Sequence, residues 1–271
     1  MLRQRIVTAA ILAAIFFAAL FGLSTRWFAL FCLILLGGSA FEWAKLTRLD
    51  APAAAVCAVC LVAAGAASLF VPGIDVTSAV PSTPAVIVCA IATVFWVTIA
   101  PAWIRSGWPT ERRAIMLVLG AVLLCAMWLA LVNLHARSPW LLLATLVIVW
   151  LADTGAYFSG RRFGRRKLAP AVSPAKSWEG VYGGIACVAI YALIVVMLAP
   201  VMAEHRLAVF ACAVLLAALS VVGDLYESWL KRQAGVKDSG TLLPGHGGLL
   251  DRIDALMPVL PAATLLAAAM S

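Results

Sequence analysis

Apolar residues run along the chain in long stretches, broken by short clusters of Arg, Lys, Gly and Pro. About 20 helical residues cross the hydrocarbon core of a bilayer, and the stretches have that length. They predict nine membrane-spanning helices near residues 6–23, 27–44, 52–71, 83–104, 114–133, 139–158, 180–202, 207–227 and 252–270. The ninth carries Pro258 and Pro261 in mid-span. A helical bundle tolerates them because neighbouring helices satisfy the freed carbonyls.

Arg3 and Arg5 precede the first apolar run, as they would in a signal peptide. No cleavage-site pattern clearly follows, and Ser24-Thr25-Arg26 reads as a turn into the second span, so an uncleaved first helix is expected.

Composition agrees with a membrane solvent. Hydrophobic residues make up 65% of 271, charged residues 12%, and mean hydropathy is +1.05, more apolar surface than a water-soluble domain of this length requires. The expected fold is all-α, a polytopic membrane bundle.

Charge sets its orientation, because Lys and Arg near span ends prefer the cytoplasmic side. With the N-terminus inside and the C-terminus outside, only Arg26, Arg137 and Arg206 of the 20 basic residues face outward. The net charge of +8 therefore gathers on one face, toward anionic headgroups and soluble anions. No nucleic-acid module is present. The seven cysteines all lie in apolar stretches, and Cys57 and Cys60, a C-x-x-C without a partner pair, read as packing.

Residues 1–136 have short loops and almost no charge within spans, and read as a transmembrane scaffold. Residues 137–271 read as the catalytic region, with polar loops at 159–179 and 228–251 on the cytosolic side.

Asp153 lies near the inner end of the sixth span, and Asp224 and Glu227 near the inner end of the eighth. A carboxylate at such depth turns toward a polar cavity or a cation. For Glu227 the simpler reading is an i,i+4 pair with Lys231. Asp224 lies deeper and follows Gly223, whose missing side chain allows close approach of a neighbour.

The loop SGRRFGRRKLAPAVSPAKSWEG surrounds turn-forming Gly and Pro with six basic residues and the hydroxyls of Ser173 and Ser177. That mixture suits either a topology signal or an ordered phosphate site. The second loop adds Lys231, Arg232 and Lys237, then Gly245, Gly247 and Gly248, which admit close approach of backbone N–H groups to phosphate.

Asp251 and Asp254 follow at i,i+3 spacing on one face of the ninth helix, near its positive N-terminus. They suit a cation and phosphate platform, and equally a helix cap, and the two roles are compatible. His246 is the only histidine in this constellation, so zinc is not indicated; oxygen donors point to Mg²⁺ or Mn²⁺.

The segment Ser228, Lys231-Arg232, Lys237-Asp238, His246-Gly247-Gly248 and Asp251-Arg252-Ile253-Asp254 resembles the signature of the phosphatidate cytidylyltransferases, or CDP-diacylglycerol synthases. DTGAYFSGRRFG at 153–164, KLAPAVSPAKSWEG at 167–180 and GDLYES at 223–228 are similar to other segments of that family. Ser177 stands where Thr is expected, and Arg165 where Lys is commoner. The resemblance covers residues 140–260, and the N-terminal half matches in hydropathy alone.

The resemblance implies transfer of a cytidylyl group from CTP to phosphatidate at a membrane site, with magnesium as cofactor. It assigns metal to Asp224 and Asp251, with Asp153, Asp238 and Asp254 as further acidic candidates. It implies phosphate binding by Lys176, Lys231, Arg232 and Lys237, with Lys167, Ser173, His246, Gly247 and Gly248 completing the substrate site. CTP, phosphatidate and membrane lipids are the expected partners, a homodimer is carried as a further expectation, and the host is a prokaryotic plasma membrane. A CTP-dependent polyprenol or lipid kinase, and an anionic-solute transporter, are the alternatives.

Overall fold

The computed structural model describes residues 2–71, 75–108, 112–198, 205–242 and 247–270, with side chains from Ala10 onward. Among the described residues the chain forms nine long helices. They are α1 (Leu2–Gly22), α2 (Thr25–Leu46), α3 (Ala51–Ser68), α4 (Thr83–Ser106), α5 (Arg113–Arg137), α6 (Pro139–Phe163), α7 (Trp178–Leu198), α8 (Arg206–Ala234) and α9 (Leu250–Ala269). The last eight are long and apolar enough to cross a membrane; α1 has a shorter apolar part, Ala10–Gly22. The chain is a polytopic helical membrane protein.

Burial orders the bundle. In α9, 61% of the apolar window is covered by protein, whereas in α3 only 11% is, so α9 runs through the centre and α3 along the periphery. Pro261 is tolerated within α9 because that helix packs on α4, α5 and α8. The wide π turn of α4, Phe95–Ile99, ends two residues before Pro101, whose missing N–H and bulky ring oppose a regular turn.

Phe95 and Trp96 on that turn pack edge-on against Tyr226 of α8, each with ring centroids 5.4 Å away. Tyr226 is fully buried, and Trp103 and Trp229 complete the cluster at 6.0 and 5.4 Å. These rings anchor the stretch of α8 that carries Asp224 and Glu227.

The two polar loops differ from the sequence expectation. The first contains a hairpin, with β1 (Lys167–Ala169) antiparallel to β2 (Ser173–Ser177), and α6 extends to Phe163 before it. The second loop is shorter than expected, because α8 continues to Ala234. Nothing breaks the helix before Gly235, which takes a left-handed φ of 75° and ends it. Ser228, Lys231 and Arg232 therefore project from a helix. The seven cysteines are free thiols.

Candidate active site between the sixth, seventh, eighth and ninth helices

Small residues create the site. On α6 and α7 a Cβ at Gly184 would lie 2.5 Å from the Ala152 carbonyl, and one at Gly180 would lie 3.0 Å from that of Ala156. Only glycine permits such helix contact. Beside this contact, between α6, α7 and α8, is a cavity of about 430 Å³. Asp153, Lys176, Ser177 and Asp224 supply its polar side; Ala152, Ala156, Val181, Ile185, Ala217 and Val221 are among its apolar walls.

Lys176 on β2 forms an ion pair with Asp224 on α8. Asp153 and Asp254 lie near enough to feel the charges of Asp224 and Lys176, so three carboxylates share this region with one lysine. Asp254 comes this close because α8 is bare at Gly223: a side chain there would strike the Asp254 carbonyl and, at 2.8 Å, the Pro258 ring. The approach anticipated at Gly223 is the one α9 makes. Ser228 Oγ stands 3.5 Å from Asp224 Oδ1.

One turn farther along α8 is a second charged group. Lys231 Nζ lies 2.5 Å from Glu227 Oε2 and 2.6 Å from Asp251 Oδ1, all three side chains being largely buried. The i,i+4 pair expected of Glu227 is present, and Lys231 also ties α8 to the first turn of α9. Asp251 Oδ2 accepts the N–H groups of Gly248 at 2.9 Å and Ser239 at 3.1 Å. The Gly248 N–H thus points at a carboxylate of its own chain. Gly247 takes φ 83°, with a Cβ position 3.9 Å from Asp238, so the chain reverses there beside that carboxylate.

Arg232 donates through Nε to the Val172 carbonyl at 3.3 Å and through Nη1 to that of Val236 at 3.2 Å, linking α8 to the hairpin turn. Glu179 fastens the other side of the hairpin, accepting from Arg165 N at 3.0 Å and Arg166 N at 3.1 Å. Ser173 is half-buried at the hairpin, and Lys167, Lys237 and Asp238 are exposed. His246 lies outside the described residues.

Of the residues expected from the sequence, the fold joins Asp153, Lys176, Asp224 and Asp254 in one cluster and Lys231 and Asp251 in the next. Asp224 and Asp251 each take a lysine. Among the described residues no three His, Cys, Asp or Glu side chains converge as a ready metal cage. Sequence reasoning missed Glu42 on α2, which reaches the loop before α9. Its signal was an acidic residue near the end of an otherwise apolar span.

A sequence model of the cytidylyltransferase family matches residues 3–270. The chain belongs to this family. Among similar proteins, the phosphatidate cytidylyltransferase of Pseudomonas aeruginosa is 40% identical over 270 residues, covering 96% of this chain and 95% of the relative. The Haemophilus influenzae protein of the same name is 52% identical over 124 residues, 45% of this chain and 43% of the relative. That of Brucella suis is 52% identical over 110 residues, 41% and 40%. Family membership spans both halves of the chain, and the chain is a nucleotidyltransferase.

Proposed function

We propose that this membrane protein is a phosphatidate cytidylyltransferase, joining CTP and phosphatidate to give CDP-diacylglycerol and diphosphate. The observation that carries this reading is a cavity with charged groups on one side and small apolar residues on the other, placed between membrane helices. A lipid phosphate and its glycerol backbone have that same polarity.

A phosphate oxygen of phosphatidate attacks the α-phosphorus of CTP, and the bond to the β-phosphate oxygen breaks as diphosphate leaves. The protein's task is to align two polyanions and neutralise the leaving charge. Lys176 stands in the cavity to meet the lipid phosphate. Lys231, Arg232 and Lys237, with Lys167 and Ser173 from the hairpin, supply cations and a hydroxyl toward the nucleotide phosphates, and His246, Gly247 and Gly248 belong to the same substrate loop.

The excess of carboxylates over lysine around Asp224 suits a hard divalent cation. Asp224 and Asp251 would hold Mg²⁺, or Mn²⁺, with Asp153, Asp238 and Asp254 as further acids. Bound there, the ion would neutralise phosphate charge in the transferring group. Lys176 and Lys231, which otherwise balance those carboxylates, would then turn to phosphate.

The basic residues near span ends support a cytoplasmic site in a prokaryotic plasma membrane, with the N-terminus inside and the C-terminus outside. The expected homodimer belongs to the same reading, and sedimentation in matched detergent tests it.

Purified protein in mixed micelles, given phosphatidate and CTP labelled at the α or γ phosphate, tests the reaction. Label from the α position should enter lipid. Entry of γ label instead would make the protein a lipid kinase; solute flux into vesicles without turnover would make it a transporter.

A further inference from the structure

Glu42 reaches out of the N-terminal half into the segment that precedes α9. It is 1% exposed. Its Oε1 accepts the Leu249 N–H at 3.0 Å, and its Oε2 accepts the Leu250 N–H and the Ser239 hydroxyl, both at 2.8 Å. Leu249 and Leu250 are the cap and first residue of α9. Their N–H groups have no acceptor within the helix, and the usual local cap side chain is replaced by a carboxylate more than 200 positions earlier in the chain.

Asp251 performs the complementary task on the same short segment. It takes the Gly248 and Ser239 N–H groups, so two carboxylates divide the consecutive N–H groups of residues 248–250 and hold Ser239 by both its peptide and its hydroxyl. The backbone is shaped for this. A Cβ at Gly248 would lie 2.5 Å from Glu42 Oε2, and Gly240 also lies against the Glu42 carboxylate. One turn earlier on α2, a Cβ at Gly38 would lie 2.6 Å from the Leu249 side chain, so the bare helix surface makes a seat for that leucine.

A buried carboxylate is costly unless its oxygens are well hydrogen-bonded, and an apolar residue would have served packing alone at that place. We infer that Glu42 is a positioning residue for nucleotidyl transfer. It fixes Ser239, Leu249 and the start of α9, and so keeps Asp251 against Lys231. It acts through Ser239, Leu249 and Leu250 and touches no reacting group. The inference rests on the cytidylyltransferase reading above.

The test compares wild type, Glu42→Gln, Gly38→Val and Ser239→Ala in detergent by two readouts: hydrogen exchange of peptides covering 238–252, and turnover of CTP with phosphatidate. Glu42→Gln should speed exchange at residues 248–250, leave peptides of α5 and α6 unchanged, and lower kcat by about 10- to 100-fold, with a smaller change in KM. Gly38→Val, which unseats Leu249 without touching a charge, should give the same pattern. Faster exchange with wild-type kcat would overturn the positioning role, as would lost kcat with unchanged exchange.

Should Glu42→Gln not accumulate as folded protein, Ser239→Ala decides. It removes one hydroxyl donor and should shift both readouts in the same direction by less, and wild-type values in both would overturn the inference. Wild-type protein that transfers no nucleotide would instead defeat the functional reading, while exchange would still report the cap.

Discussion

Lys176 and Asp224 form an ion pair beside the interhelical cavity, joining the hairpin strand β2 to α8. They lie 48 positions apart in sequence, on elements that are unrelated until the bundle closes. This pair holds Lys176 of the hairpin at the acidic side of the cavity.

Replacing Asp224 by Asn keeps the shape of the side chain and removes its charge. Turnover should fall by about 10²- to 10³-fold, the scale of losing one preorganised charged group at a reacting centre. Circular dichroism and gel-filtration position should stay as in wild type. A near-normal rate would remove Asp224 from the reaction.

Lys231 serves two carboxylates, whereas Asp251 leaves Lys231 one partner when it is lost. Lys231→Met should therefore destabilise more than Asp251→Asn, since it strands Glu227 and Asp251 together. Breaking a buried pair from one side costs about 3–5 kcal/mol, and thermal unfolding in detergent reads the order. Asp251→Asn should still abolish turnover. The reverse order of stabilities would show that Lys231 does not hold α8 to α9.

Chelation should stop nucleotidyl transfer, and added Mg²⁺ or Mn²⁺ should restore it, because hard oxygen donors are the groups on offer around Asp224. Full turnover in excess chelator, measured with the labelled CTP assay, would defeat the metal proposal.

Gly184→Val places branched bulk against the Ala152 backbone, where no rotamer relieves the clash. Overpacking of this kind costs about 1–3 kcal/mol, and separating α6 from α7 should also lower turnover by deforming the cavity. Gly22→Ala, with nothing within 4 Å of the new Cβ, is the matched control and should leave both unchanged.

Much of the fold was legible because a bilayer allows few solutions. An apolar run of spanning length must be a helix with its backbone bonded internally, and the nine runs became nine helices, eight of them long and apolar enough to cross a membrane among the described residues. The local parts of the site were legible for a similar reason: Glu227 with Lys231 is an i,i+4 relation on one helix, and Gly223 announced a close approach. The hairpin at 167–177 was not, since its short strands carry Pro and charge and show no clean alternation. Nor was the helical continuation of α8 to Ala234, where a polar surface hides a run without breakers.

What the chain determined by itself was therefore local or periodic: the spans, the cationic loops, the order of the signature residues and the pairing of Glu227 with Lys231. Tertiary structure decided which carboxylate meets which lysine, that α9 touches α8 at Gly223, and that Glu42 caps a helix from the opposite half of the chain. The reason is physical. A side chain's partner across more than a turn of helix depends on how helices pack and cross, and that depends on every small residue at their contacts together.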